Sequence, residues 1–250
     1  VVEIGSNDGA MMENFSKNKI RHLGIEPSAN VAEEASKYGV NTLCSFFNLT
    51  TAENIVSEHG RADALIAANV MCHIPDLHDV AKGIDYLLKP MGVVVFEEPY
   101  LGDMIENTAY DQIYDEHVYM FSVRSVHNIF KKYGFELIDV KPQTTHGGSM
   151  RYVLARNGKR SISENVDKQI AYEDEKQLHL NDTYDRFREQ CEISRKNLVD
   201  MLQQYKKNGK RVVGYAATSK STTVLNYCGI GPDLIEFISD TTPIKQGKYS

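Results

Sequence analysis

The first residues of the chain have the types and spacing of a nucleoside-binding turn. Gly5, Asn7 and Gly9 follow an apolar stretch typical of a strand, and Glu3 lies inside that stretch. Glycines let a backbone approach a ligand closely. The third glycine of the dinucleotide pattern, in which a helix start binds a pyrophosphate, is missing. The turn therefore favours S-adenosylmethionine, which has no phosphate and whose sulfonium and amino-acid end suit a tight turn with an acidic neighbour, over a nicotinamide cofactor.

Three later positions extend this predicted pocket. Glu26 ends the second predicted strand, about 20 residues after Gly5, where an acidic group can accept hydrogen bonds from both ribose hydroxyls. Phe46 follows the third strand and is our candidate for stacking on adenine, although a core position suits Phe46 and Phe47 equally well. Asn69 follows the fourth strand, where we expect the methionine end of the cofactor and the substrate.

These positions require a sheet that brings strand ends together. Short apolar strands alternate with helices over the first hundred residues, and the wholly apolar runs at 64–68 and 93–96 are typical of buried parallel strands. Strands at Phe135–Val140 and Met150–Ala155 are predicted to form an antiparallel hairpin at the sheet edge. We therefore predict an α/β fold, a class I methyltransferase Rossmann-like sheet with a smaller C-terminal α/β domain.

The chain is predicted to consist of three parts. These are an S-adenosylmethionine-binding methyltransferase domain at 1–158, a charged helical linker at 159–209 and a C-terminal α/β domain at 210–250. Apolar residues of the linker recur every three, four or seven positions, a narrow stripe that predicts packing on a neighbouring element or on a second copy in a homo-oligomer. Val1 already has strand character, so we expect a fragment whose C-terminal domain is cut short.

Composition narrows the function classes. The chain has 28 basic and 34 acidic residues and a formal net charge of −6, which disfavours nucleic acid as a partner. Its four cysteines include no Cys-x-x-Cys pair, so we predict neither a metal site nor a disulfide framework. No apolar run reaches the roughly 18 residues of a membrane span. A soluble, cytoplasmic protein without a membrane partner is expected.

A polar stretch in the middle of the chain carries the most specific motif. Tyr114-Asp115-Glu116-His117, followed by Met120-Phe121-Ser122, resembles the Tyr-x-Glu-His motif of the sugar C-methyltransferases of deoxysugar biosynthesis. Those enzymes methylate C-3 of nucleotide-linked 4-keto-deoxysugars. The resemblance implies that His117 is the catalytic base and that Tyr114 and Glu116 lie close to the sugar.

Further stretches carry the same resemblance along nearly the whole chain. His146–Arg151 is similar to the family's His-Gly-Gly-Ser-hydrophobic-Arg motif, and residues 214–230 and 240–247 are similar to its nucleotide-handling C-terminal domain. The usual Gly-Ala-Pro-Ala-Lys reads Ala216-Ala217-Thr218-Ser219-Lys220, without the proline, and the family's N-terminal zinc domain is absent. The resemblance implies a nucleotide-linked sugar substrate and a set of residues that bind it: His146, Ser149, Arg151, Ser219, Lys220 and Lys245.

The motif residues suit the formation of a carbon nucleophile. A proton beside a ketone is far less acidic than imidazolium, so a base must act together with a group that stabilises the developing enolate oxygen. His117 titrates near neutrality, Tyr114 can donate a hydrogen bond to that oxygen, and Glu116 can orient the imidazole or hold a sugar hydroxyl. Two alternatives stay open: an O- or N-methyltransferase on a related nucleotide-sugar or polysaccharide precursor, and a non-catalytic nucleotide-sugar-binding protein.

Overall fold

The computed structural model describes residues 1–249. The strands, in chain order, are β1 (Val2–Ile4), β2 (Leu23–Ile25), β3 (Thr42–Leu43), β4 (Ala62–Ala68), β5 (Leu88–Pro99), β6 (Phe135–Gln143), β7 (Ser149–Arg156), β8 (Gly214–Tyr215) and β9 (Ile238–Ser239). The helices are α1 (Met12–Lys17), α2 (Ala29–Lys37), α3 (Leu49–His59), α4 (Leu77–Leu87), α5 (Leu101–Glu106), α6 (Val123–Lys131), α7 (Glu164–Glu175), α8 (Asn181–Lys207) and α9 (Ser219–Cys228).

The chain packs into two compact units. The first unit comprises Val1–Leu101 and Val118–Glu175, and the second comprises Gly102–His117 and the chain from Lys176 onward. The domain boundaries after residues 158 and 209 stay a prediction. No helix within residues 1–249 is long and apolar enough to cross a membrane.

A seven-stranded sheet forms the centre of the first unit. Its order is β3-β2-β1-β4-β5-β7-β6; β1 to β5 run parallel, and β7 is antiparallel to both of its neighbours. Leu65, Phe96 and Tyr152 are fully buried on β4, β5 and β7. The predicted parallel sheet with an antiparallel edge hairpin is confirmed. Because β1, β2 and β4 are parallel neighbours, the segments that follow them emerge at one edge of the sheet.

One boundary of the sheet differs from the prediction. The apolar run at 93–96 predicts a strand that begins at Val93, yet β5 begins at Leu88. Leu88 is fully buried and pairs with Ala62 across an irregularity in the register. A Cβ at Gly92 would press on the Leu88 side chain and on the backbone oxygen of Asp63, so glycine allows the close approach of these segments.

The second unit contains α8, α9 and the two-stranded parallel sheet of β8 and β9. Leu202, Cys228 and Ile230 form its buried core, and Leu198 of the predicted apolar stripe packs against them. Tyr184, Met201 and Tyr205 of the same stripe are exposed. The strands of the predicted C-terminal α/β domain are only two residues long each, since in the part of the chain described β8 and β9 pair only with each other.

Glu173 is a buried carboxylate that caps a helix distant in sequence. Its side chain on α7 is 2% exposed and accepts hydrogen bonds from the Tyr100 hydroxyl at 3.1 Å and from the backbone nitrogens of Val123 at 2.6 Å and Arg124 at 3.1 Å. Both nitrogens lie in the first turn of α6, where N–H groups have no partner within the helix. Glu173 therefore ties α7 to the start of α6 and to the end of β5.

We expect Glu173→Ala to lower the free energy of unfolding by about 3 kcal/mol, because buried donors are left without an acceptor. Urea denaturation measures this change. Glu175→Ala is the matched control, since Glu175 is exposed on the same helix and surface substitutions usually stay within about 0.5 kcal/mol. Equal effects of the two variants would contradict the capping role.

Candidate functional site

The glycine turn directly follows β1 in the first unit. Gly5 has a φ of +68°, and the backbone nitrogens of Gly5 and Ser6 donate to the Ile25 carbonyl at 2.8 and 3.1 Å. A Cβ at Gly5 would overlap the Val70 side chain. The position therefore requires glycine both for its left-handed conformation and for its close approach to the segment after β4.

Glu26 lies against this turn, and its role as the ribose ligand stays a prediction. Its carboxylate is 8% exposed; Oε2 accepts from the Asn7 nitrogen at 3.1 Å and Oε1 from the Ser28 nitrogen at 2.9 Å. The two bonds fix the carboxylate at the joint between the glycine turn and the end of β2. Each oxygen keeps further acceptor capacity for a hydroxyl.

Two predicted cofactor residues each have a buried oxygen atom without a hydrogen-bond partner among the residues described. These atoms are Oε2 of Glu3, a residue that is 4% exposed, and Oδ1 of Asn69; the Ser6 hydroxyl oxygen in the turn is a third. Burial, and then the negative charge of Asp8, raises the pKa of Glu3 to about 7. Asn69 has a φ of +53°. Buried polar atoms normally have partners, so these oxygens fit a ligand that has hydrogen-bond donors and a positive charge, and S-adenosylmethionine has both.

The raised pKa of Glu3 gives a pH-dependent stability. The folded-state pKa of Glu3 of about 7 lies above the ordinary 4.5. Burial of the charged carboxylate therefore costs no stability below the lower pKa, and stability is lost as pH rises from there through the higher pKa. We expect the free energy of unfolding of the ligand-free protein, relative to Glu3→Gln, to fall between about pH 5 and about pH 8. Urea denaturation at several pH values tests this, and parallel profiles would contradict it.

The remaining predicted cofactor residues lie on the same unit. Phe46 is 74% exposed, whereas Phe47 is buried in the core, so the alternative of a core position applies to Phe47. The stacking role of Phe46 stays a prediction. Gly9 has a φ of +82° and packs against Ala35 and Val40 of a small core cluster, which anchors the end of the turn.

The predicted substrate motif at 146–151 forms a turn in the first unit that its own side chains hold. The hydroxyl of fully buried Ser149 donates to the Thr145 carbonyl at 3.1 Å. The Arg151 guanidinium pairs with Glu97 at 2.9 Å, and Glu97 also accepts from the Thr145 hydroxyl at 2.9 Å. His146 is exposed at φ +55°. Ser149 and Arg151 thus have partners within the protein, and their contact with substrate stays a prediction.

The motif Tyr114–His117 lies in the second unit, as a turn after a 3₁₀ segment. The rings of Tyr114 and His117 are 4.0 Å apart at their centroids. The backbone nitrogen of His117 donates to the Tyr114 carbonyl at 2.9 Å. His117 Nδ1 lies 2.8 Å from the Gln112 carbonyl oxygen, which can only accept. In the neutral imidazole that bond places the proton on Nδ1 and leaves Nε2 as the basic atom. Glu116 is exposed on the same turn.

Lys220 lies near Tyr114 within the second unit. Its Nζ is buried without a hydrogen-bond partner among the residues described and lies 5.9 Å from the Tyr114 ring centroid. Burial lowers the pKa of Lys220, and the charge of Asp111 acts in the opposite direction. Lys220 is the second residue of α9, where the helix N-terminus also favours an anion.

The other two predicted substrate residues of the second unit have different surroundings. Thr218, not Ser219, caps α9, through its bond from the Ser221 nitrogen at 3.2 Å. Ser219 is exposed at the first position of the helix. Lys245 donates to the Ala217 carbonyl at 2.6 Å, so its ammonium already has a partner. Ligand contacts of Ser219 and Lys245 stay predictions.

Glu98 is a further residue near the predicted pocket that the sequence pattern did not indicate. This side chain is 0% exposed at the end of β5, and its Oε1 accepts from the backbone nitrogens of Val70 at 3.0 Å and Met71 at 2.6 Å. Burial raises the pKa of Glu98, while its hydrogen bonds act in the opposite direction. The available signal was a pair of acidic residues at the carboxyl end of an otherwise apolar strand.

The sheet order, the glycine turn after β1 and the acidic residue after β2 are together those of the class I methyltransferase fold. Residues 1–140 match the methyltransferase domain family, to which the chain belongs. Residues 144–250 match the C-methyltransferase C-terminal domain. The predictions of the fold class, of the family and of S-adenosylmethionine as cofactor are confirmed.

Individual proteins show the same likeness. The chain is 34% identical over 249 residues to C-methyltransferase NovU of Streptomyces niveus, covering 99% of this chain and 59% of the length of that relative. Among solved structures, an S-adenosylmethionine-dependent methyltransferase of Anabaena variabilis matches 62% of this chain and 76% of its own, at 15% identity and a TM-score of 0.49. The structure of magnesium protoporphyrin IX methyltransferase of Synechocystis, with bound S-adenosylmethionine, matches 62% of this chain and 69% of its own, at 12% identity and a TM-score of 0.44.

Proposed function

We propose that this protein is an S-adenosylmethionine-dependent C-methyltransferase that acts on a nucleotide-linked keto-deoxysugar. The observation that carries the proposal is the state of His117. Its Nδ1 lies 2.8 Å from the Gln112 carbonyl oxygen and its ring lies against Tyr114, so the neutral imidazole carries its proton on Nδ1 and Nε2 is its basic atom. The match of residues 144–250 to the C-methyltransferase C-terminal domain supports transfer to carbon.

The proposed reaction begins with proton removal. His117 Nε2 takes the proton from the carbon beside the ketone, and the electron pair of that C–H bond moves into an enolate. The Tyr114 hydroxyl donates a hydrogen bond to the enolate oxygen, where the negative charge develops. When bound, S-adenosylmethionine, which Gly5, Glu26 and Asn69 would hold, would supply an electrophilic methyl group on its sulfonium, and transfer of that methyl to the enolate carbon would release the sulfur as a neutral thioether. Proximity and alignment contribute much of the acceleration.

We assign the nucleotide end of the substrate to the second unit. A diphosphate needs cationic or N–H donors, and the Lys220 ammonium, buried without a partner among the residues described, has the capacity to supply three. Ser219 at the start of α9 adds a hydroxyl beside it. Glu116, exposed on the motif turn, is the candidate for contact with a sugar hydroxyl. His146, exposed on its turn in the first unit, is the remaining substrate candidate.

A panel of nucleotide-linked sugars tests the proposal. The purified protein, S-adenosylmethionine and each sugar are incubated, and products are identified by mass spectrometry. We expect one added methyl group on a keto-deoxysugar and none on the matching sugar in which the ketone is reduced to an alcohol. Methylation of the reduced sugar would favour the O-methyltransferase alternative. Cofactor binding without turnover on any sugar would favour a non-catalytic binding protein.

A further inference from the structure

Three successive backbone N–H groups hold the turn that follows β4. The Asn69 nitrogen donates to the Glu97 carbonyl at 2.8 Å, and the next two nitrogens, of Val70 and Met71, both donate to Glu98 Oε1. The acceptors are consecutive residues at the end of β5. One side chain, that of Glu98, therefore accepts two of these three successive bonds.

Val70 links this hydrogen bonding to the glycine turn. Its side chain occupies the space where a Cβ at Gly5 would lie, so Gly5 and Val70 are in close contact. Asn69, the preceding residue, is held in the left-handed region and has a buried oxygen without a partner in the described chain. A residue that fixes Val70 consequently fixes both the Gly5 contact and the direction of the Asn69 amide.

We propose that Glu98 is a positioning residue for the cofactor, because it holds Val70 against Gly5 and Asn69 in its left-handed conformation. The inference rests on the cofactor assignment of Gly5 and Asn69 and does not involve the methyl acceptor. A left-handed asparagine is strained and persists only where its surroundings determine it. Without Glu98, the two N–H groups would need new acceptors, and the turn would move to find them.

The test compares two buried glutamates with the same bonding pattern. Glu98 and Glu173 each accept hydrogen bonds from two consecutive backbone nitrogens, but only the nitrogens bound to Glu98 belong to a segment that contacts Gly5. Affinity for S-adenosylmethionine is measured by calorimetry at a temperature where circular dichroism shows both variants folded. We expect affinity to fall about 10-fold or more in Glu98→Ala and to stay within about two-fold in Glu173→Ala.

A conservative variant separates acceptor geometry from charge. Glu98→Gln keeps a carbonyl oxygen of the same reach, so its affinity is expected within about three-fold of the unmodified protein. If Glu98→Ala does not fold, Glu98→Asp takes its place, since its carboxylate is one methylene too short to reach both nitrogens. Weaker binding in Glu98→Asp with full binding in Glu98→Gln supports the proposal.

Unchanged cofactor affinity in the folded Glu98 variant, or equal losses in the Glu98 and Glu173 variants, would overturn the positioning role. The result is independent of the sugar. If no keto-deoxysugar in the panel is methylated but Glu98→Ala weakens cofactor binding, only the proposed substrate is wrong. If a keto-deoxysugar is methylated but Glu98→Ala binds the cofactor normally, only the positioning role is wrong.

Discussion

His117→Ala is expected to lower turnover by about 1,000-fold or more while cofactor affinity stays unchanged. A positioned general base contributes about 100- to 10,000-fold, and a ketone cannot form its enolate at a useful rate without one. His117 touches Gln112 and Tyr114 within the second unit, whereas the glycine turn and Glu26 belong to the first. Turnover is measured by product formation, and affinity by calorimetry.

A second measurement and a control variant make this prediction more specific. Exchange of the proton beside the ketone with deuterated solvent should require His117, because the base acts before methyl transfer. Gln112 contacts His117 Nδ1 through its backbone carbonyl, so a substitution of the Gln112 side chain is expected to keep this hydrogen bond. His127→Ala is the control, since His127 lies on α6 of the first unit. Full turnover in His117→Ala would reject it as the base.

Glu26→Ala is expected to weaken S-adenosylmethionine binding by about 100-fold. The carboxylate would bind the ribose hydroxyls, and a hydrogen bond to a charged group contributes about 1.5–3 kcal/mol, where each 1.4 kcal/mol corresponds to a factor of ten. Removal also takes the acceptor from the Asn7 and Ser28 nitrogens, which loosens the glycine turn. Calorimetry measures the affinity.

The control for Glu26 is Glu33→Ala, because Glu33 is an exposed glutamate on the neighbouring helix α2. Its affinity should match that of the unmodified protein. Glu26→Gln keeps one acceptor oxygen and is expected to lie between the two. Cofactor affinity in Glu26→Ala equal to that in Glu33→Ala would remove Glu26 from the pocket.

Much of the sheet could be predicted because its strands have a distinctive composition. The wholly apolar run in β4 and the β-branched run in β5 have no polar side to face water, so they predict buried parallel strands. The start of β5 could not be predicted from the local sequence. Leu88 follows α4 directly and is fixed by its pairing with Ala62, a contact that a local pattern does not contain.

The glycine turn could be predicted from the sequence because its backbone conformation dictates the residue type. Gly5 and Gly9 adopt positive φ, and their spacing alone marked the turn. Glu98 could not be found in this way, since a glutamate at a strand end usually faces solvent and only the fold shows that Val70 and Met71 donate to it. The ion pair between Arg151 and Glu97 could not be predicted either, because the two residues are 54 positions apart along the chain. The substrate contact that the motif implies for Arg151 stays a prediction.

The position of the transferred methyl group tests the central claim most directly. The protein is incubated with a nucleotide-linked 4-keto-deoxysugar and S-adenosylmethionine labelled with carbon-13 at its methyl group, and the product is examined by carbon–proton correlation NMR. We expect the labelled methyl to couple to a sugar carbon beside the ketone, and to be absent with His117→Ala. A labelled methyl bonded to oxygen or nitrogen would contradict C-methylation.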